Sequence, residues 1–77
     1  MALTAEHIAE LEILALYNLD NHLEGLKVHS DASAEHLNAM ARLHSKGLVS
    51  QTDGGYLTSL GRDAAEHVQA LTQILNA

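Results

Sequence analysis

The sequence predicts a small, mainly α-helical domain of the α+β kind, in which three helices accompany a two-stranded β-hairpin. Apolar residues recur at helical spacing in three segments of the chain, which is the pattern of amphipathic helices. Between the second and third of these segments, Asp53-Gly54 separates two short apolar pairs, as in a hairpin turn. We interpret residues 1–77 as a single domain because the chain has no proline and no low-complexity tract.

The first helix is predicted to begin after Thr4, whose hydroxyl can cap it, with Glu6 in the first turn, where a carboxylate suits the helix dipole. Its second half is apolar on nearly every side, and such a helix is either enclosed by its own fold or covered by a partner. A chain of 77 residues offers little material to enclose it, so we expect a subunit contact there. The apolar residues concerned are Ile13, Leu14, Leu16, Tyr17 and Leu19.

The next segment, residues 20–32, is the least regular part of the chain. One helical turn over residues 20–24 is predicted to end at Gly25, and residues 26–29 have the composition of a short strand. Ser33 then opens the second helix, which Gly47 ends in the position that favours a left-handed cap. At about 100° per residue, its core face is predicted to carry Leu37, Met40, Ala41 and His44, and its opposite face Glu35, Asn38, Ala39, Arg42 and Lys46.

The hairpin and the last helix follow directly. Residues 48–49 and 56–57 are predicted to form the two strands, and Asp53-Gly54 a type I′ turn between them. Thr58 caps the last helix, which runs towards Asn76, and Gly61 in its first turn allows the helix to pass close to the hairpin. The apolar stripe of this helix, with His67 inside it, is predicted to comprise Leu60, Ala64, Val68, Leu71, Ile74 and Leu75.

Residues 33–62, SAEHLNAMARLHSKGLVSQTDGGYLTSLGR, resemble the second half of a winged-helix domain. In that pattern a recognition helix ends in KGLV, the hairpin forms the wing, and LT followed by a glycine starts the next helix. More narrowly, the segments GLKVHSDA, KGLVSQTDGGYLT and AAEHVQAL resemble a family of small uncharacterised gamma-proteobacterial proteins, labelled DNA-binding on grounds of fold. Residues 20–32 depart from the pattern, because they are shorter and more polar than the first helix of a helix-turn-helix.

The resemblance implies a winged-helix protein that binds double-stranded DNA, as a transcriptional regulator acting as a dimer. Asn38, Arg42 and Lys46 recur every fourth residue along one helix face, and asparagine and arginine are side chains that read adenine and guanine edges. Lys27 and Arg62 are expected to contact phosphates. In a dimer, the acidic first helices are expected to lie on the far side from this cationic face.

Net charge favours another interpretation. The chain has 4 Lys+Arg against 10 Asp+Glu, a net charge of −6 and a pI of about 5.3, whereas DNA-binding domains are typically basic. The alternative is therefore a non-catalytic protein–protein interaction module that has the winged-helix shape without DNA binding.

A homodimer is expected in either case, because a chain this small without cysteine needs another source of stability. We expect the first and last helices to join the subunits. The predicted interface residues are Ile13, Leu16, Tyr17, Val68, Leu71 and Leu75.

Catalytic, metal and cofactor sites are not expected. The sequence has no GxSxG and no HExxH motif, and a domain of this size has little room for a buried pocket. The six histidines raise metal binding only as a minor alternative, with His29 and Asp31 as the best local pair. Because no signal peptide or membrane span is recognisable, the protein is expected to be soluble and cytoplasmic.

Overall fold

A computed structural model describes residues 2–20, 25–27 and 33–77, and shows three helices with a β-hairpin, as predicted. The elements in chain order are α1 (Ala5–Leu16), β1 (Leu26–Lys27), α2 (Ala34–Ser45), β2 (Val49–Gln51), β3 (Gly54–Leu57) and α3 (Ser59–Leu75). The predicted helical turn over residues 20–24 lies largely outside the described residues. Of the strand predicted over residues 26–29, the structure confirms the part that forms β1.

Each helix begins where a hydroxyl was predicted to cap it. Thr4 accepts a hydrogen bond from the His7 backbone N–H at 3.1 Å, and the Thr4 N–H donates to His7 Nδ1 at 3.2 Å, so the two residues form a capping box. Ser33 and Thr58 cap α2 and α3 through their hydroxyls alone, which accept from the His36 N–H at 3.2 Å and the Gly61 N–H at 3.0 Å. The three predicted caps are therefore confirmed. Each of these hydrogen bonds spans only three residues, so it depends little on the rest of the fold.

The end of α2 is also confirmed. Gly47 has a φ of +81°, and its N–H donates to the His44 carbonyl at 3.0 Å. The Leu48 N–H donates to the Leu43 carbonyl at 2.9 Å, which completes a Schellman motif. Thr58 Oγ1 donates to the Gly47 carbonyl at 2.6 Å, so the cap of α3 is bonded to the end of α2.

The predicted core face of α2 is confirmed for Met40, but the buried face as a whole is rotated by about one residue, or about 100°. The buried residues of α2 are Ala39, Met40 and Leu43, whereas Ala41 is exposed. Ala39 was assigned to the polar face because Arg42 and Lys46 share that side of the helix. In the structure its small side chain is fully buried, and the long side chains of Arg42 and Lys46 reach α1.

The hairpin is confirmed, but the predicted turn type is wrong. Val49 pairs with Leu57 and Gln51 with Gly54. A type I′ turn needs positive φ at both central residues, and among the described residues positive φ occurs only at glycines, which include Gly54 and Gly55 in β3. Asp53 does not have a positive φ, and the chain turns at residues 52–53, so that Gly54 already belongs to β3. The β1 strand pairs antiparallel with β3, which gives the sheet order β1-β3-β2.

The core lies where α1 packs against both α2 and α3. Ile13, Met40 and Leu43 are its largest fully buried side chains. Tyr17, just after α1, is also buried, and its hydroxyl donates to the Gly55 carbonyl at 3.4 Å. Burial raises the pKa of the Tyr17 hydroxyl above its ordinary value.

Gln69 of α3 satisfies carbonyl groups at the end of α1. Its Nε2 donates to the Tyr17 carbonyl at 2.7 Å and lies 3.3 Å from that of Leu14. These acceptors belong to a helix terminus that has no intrahelical donors left. One polar side chain therefore joins α1 to α3.

Replacing this side chain should loosen the contact. Gln69→Ala is expected to lower the free energy of unfolding by about 1–2 kcal/mol, because half-buried carbonyls lose their donor. Gln73→Ala is the matched control, since Gln73 lies one turn later on α3 and is exposed. Urea unfolding followed by circular dichroism would measure both, and equal losses would contradict this role of Gln69.

No helix in the described ranges has both the length and the apolar character needed to cross a membrane.

Candidate functional site

The polar surface of α2 carries the three residues predicted to read DNA. Asn38 is exposed, Arg42 is half-buried, and the Lys46 side chain is about half exposed. Ala5, Glu6 and Ala9 of α1 face Asn38 and Arg42 across a shallow hollow of about 250 Å³. The face is therefore shared with α1.

Glu10 of α1 binds both cations of this surface. Its carboxylate is 3.4 Å from Arg42 Nε through Oε2, and Oε1 accepts a hydrogen bond from Lys46 Nζ. Glu10 is only 6% exposed, and it is the buried charged residue of the described chain. Buried carboxylates are stable only when paired, so Arg42 and Lys46 balance a charge within the fold. We call Glu10, Arg42 and Lys46 the Glu10 cluster.

Glu6 adds a second acidic contact to Arg42. Its carboxylate lies 3.6 Å from one guanidinium nitrogen, and its carbonyl accepts from the other at 3.3 Å. The expectation that the acidic first helix lies on the far side from the cationic face is therefore wrong for this subunit. The buried alanines Ala9 and Ala39 lie on α1 and α2. Small side chains let two helices approach closely, which brings carboxylates of α1 within reach of cations on α2.

The structure describes the side chain of Arg62 but not that of Lys27, the other residue predicted to contact phosphate. Arg62 donates to the Leu19 carbonyl, and its Nε lies 3.6 Å from a carboxylate oxygen of Glu66 on the same helix. It is half-buried, and it ties the chain after α1 to α3. Lys27 lies in β1, and its side chain is outside the described part of the structure.

The opposite side of α1 carries a second surface, an apolar groove between α1 and α3. The groove has a volume of about 470 Å³. We call it the α1/α3 groove, and it is lined by Leu3, Ile8, Leu11, Glu12, Ala15, His67, Val68, Leu71, Thr72 and Leu75. Leu71 is 56% exposed and Leu75 73% exposed, since most of the predicted apolar stripe of α3 is not covered by the described residues.

The residues predicted to join two subunits divide into two groups. Ile13, Tyr17 and Val68 are covered by the chain's own residues, since Ile13 is 1% exposed and the other two are also buried. The expectation that this chain cannot enclose the second half of its first helix is therefore wrong for Ile13, Leu14 and Tyr17. Leu16, Leu71 and Leu75 are exposed, and Leu71 and Leu75 line the groove.

Two titratable residues stand among the apolar ones that line the groove. Glu12 on α1 lies 3.4 Å from His36 Nε2 of α2. His67 on α3 is exposed, and its Nδ1 lies 2.6 Å from the Asp63 carbonyl one turn earlier, as a donor. The acid and the histidine therefore lie on different walls of the groove.

Metal ligands do not converge in the described ranges, where no group of three or more His, Asp or Glu side chains could hold an ion. The pair His29 and Asp31 lies outside the described residues, as does His22.

Sequence reasoning missed Glu10 and Gln69. For Glu10 a signal was present, because Ile13 and Leu14 follow it at the spacing of one helical turn and place it on the buried side of α1. A glutamate at such a position needs a cation nearby. Gln69 had no comparable signal, because its acceptors come from a helix end more than fifty residues earlier in the chain.

A family model described as a family of unknown function (DUF5669) matches residues 1–76 of the chain. Comparison with curated proteins and with solved structures found no significant match.

Proposed function

Because the chain belongs to DUF5669, a family of unknown function, we propose its function from its surfaces: it is a non-catalytic protein–protein interaction module. Its binding surface is the α1/α3 groove. The partner presents an apolar, helical face, because the groove lies between two helices and has leucine side chains on both walls.

The exposure of this groove is the observation that carries the proposal. Leu3, Ile8 and Leu11 on one side and Leu71 and Leu75 on the other are all exposed large apolar residues. Exposed apolar side chains that are scattered singly are ordinary on a soluble protein, whereas a contiguous group of them marks contact with another molecule. A chain with a net charge of −6 gains solubility from that charge, but charge does not cover such a patch.

DNA binding is less well supported by the same geometry. Affinity for the DNA backbone depends on cations that are available to neutralise phosphates. Arg42 and Lys46 share the carboxylate of Glu10, and Arg62 is bonded to Leu19 and Glu66. To bind DNA, these cations would have to leave partners inside the protein, one of which is buried.

The proposal can be tested in cells by site-specific photocrosslinking. A photoreactive amino acid in place of Leu71 is expected to form an adduct with a defined protein, because position 71 lies in the groove. The same amino acid in place of Leu60 is the matched control, since Leu60 is equally exposed on α3 but does not line the groove. Mass spectrometry would identify each adduct.

A protein adduct at position 71 that is lost on Leu75→Ser would support the proposal. The same pattern at both positions would contradict it. A labelled duplex that the purified protein shifts at low salt, with a loss of the shift on Asn38→Ala, would favour DNA binding instead.

A further inference from the structure

The α1/α3 groove has apolar side chains on both of its walls. Leu71 and Leu75 lie one turn apart on α3, so they form a ridge as well as one wall of the depression. Leu3, Ile8 and Leu11 form the facing wall and are exposed. A ridge of this kind on one molecule can therefore fill the depression of an identical molecule.

Charge follows the same pattern. The titratable residues that line the groove are Glu12, on α1, and His67, on α3. In an interface with two-fold symmetry, each contact between different residues occurs twice, with the roles of the subunits exchanged. Glu12 on one wall and a protonated His67 on the other can therefore pair twice across such an axis, and neither meets its own kind.

We infer that the partner in the α1/α3 groove is a second copy of this chain, in a two-fold dimer in which Leu71 and Leu75 of each copy pack into the groove of the other. This inference rests on the proposed function and names its partner. Asn38 and Arg42 do not line the groove, so the dimer leaves the polar hollow of α2 open. The interface differs from the one expected from sequence, because Ile13 and Tyr17 stabilise the single subunit instead.

Size-exclusion chromatography with light scattering on the purified chain tests the inference. The wild-type protein is expected to have twice the 8.3 kDa mass of the chain. Leu71→Glu/Leu75→Glu is expected to be monomeric, because it brings carboxylates into an apolar contact. Both leucines are more than half exposed in the single chain, so the subunit should still fold, which circular dichroism would verify. Leu60→Glu, the matched control, is expected to stay dimeric.

A second measurement tests the dimer if Leu71→Glu/Leu75→Glu does not fold. The melting temperature of a dimer rises with protein concentration, and that of a monomer does not. Wild-type protein should show this rise, and it should be absent from Leu71→Ser/Leu75→Ser. A monomeric wild-type chain with a concentration-independent melting temperature would overturn the inference, as would a double variant that remains dimeric. A crosslink from position 71 to a different protein would still support the proposed function.

Discussion

Gly61→Ala is expected to lower the free energy of unfolding by more than about 3 kcal/mol, at the upper end of what overpacking costs. A Cβ at this position would lie 1.8 Å from the Leu48 carbonyl oxygen and 2.8 Å from its carbon. Both atoms belong to backbone, so no side-chain rotation can relieve the clash. The first turn of α3 would have to move away from the hairpin, and the hydrogen bond from the Thr58 N–H to that carbonyl would be lost.

The matched control is the same substitution at Gly47. None of the described residues lies within 4 Å of a Cβ there, but φ is +81°, so Gly47→Ala is expected to cost about 1–2 kcal/mol of backbone strain alone. Urea unfolding at one fixed protein concentration would measure both variants, since self-association changes apparent stability. Equal losses in the two variants would mean that the close approach of α3 to Leu48 is not limiting.

Arg42→Ala/Lys46→Ala is expected to lower the free energy of unfolding by about 3 kcal/mol, the cost of leaving a buried carboxylate without a cation. Glu10 is 6% exposed, and both cations contact it. Removal of one cation leaves the other in place, so each single variant should lose less than half as much. Denaturant unfolding of the two single variants and the double variant would measure this non-additivity.

The rescue variant separates charge from packing. Glu10→Leu in the double variant is expected to recover most of the loss, because an apolar side chain of similar size removes the unpaired charge. Glu66→Ala is the control for an exposed acid that has a cation partner, Arg62, and does not line the α1/α3 groove, and it is expected to cost about 0–1 kcal/mol. If the double variant proved as stable as wild type, the Glu10 cluster would not contribute to the free energy of unfolding.

The expected instability of Arg42→Ala/Lys46→Ala also affects how a test of DNA binding can be interpreted. Loss of a DNA complex in Arg42→Ala/Lys46→Ala would not identify these residues as DNA contacts, because the variant is expected to unfold more easily. Asn38→Ala changes an exposed side chain of the same helix without touching Glu10. It is therefore the more informative substitution on this face.

The outcomes for α2 show how far local reasoning extends. Its start at Ser33 and its end at Gly47 followed from hydrogen bonds between residues that are close in the chain. The buried face of α2 did not follow from local reasoning, because Ala39 is apolar but small and lies on the same side of the helix as Arg42. Whether such a mixed side packs inward depends on the helix that lies against it, which periodicity alone does not reveal.

The candidate surfaces divide in the same way. The apolar residues of α3 were evident from their spacing, and Leu71 and Leu75 were among the residues predicted to meet a partner. Val68 is buried, whereas Leu71 and Leu75 are exposed. This difference depends on where α1 ends, since Gln69 of α3 is bonded to the carbonyls at that end. The pairing of Arg42 with Glu10 likewise joins residues 32 positions apart in the chain.

By itself, the sequence of this protein determined the three helix starts, the cap at Gly47, the presence of the hairpin and the need for a side-chain-free residue at position 61. The helix starts, the cap and the hairpin depend on backbone geometry and on hydrogen bonds between residues that are close in the chain. Position 61 lies only thirteen residues after Leu48, the residue whose backbone it approaches. Tertiary structure alone decided which cations are neutralised, which leucines stay exposed and which face of α2 is buried. Those outcomes depend on the distance between helices that are remote in the chain, and here two alanines at the α1–α2 contact allow Glu10 to reach its cations.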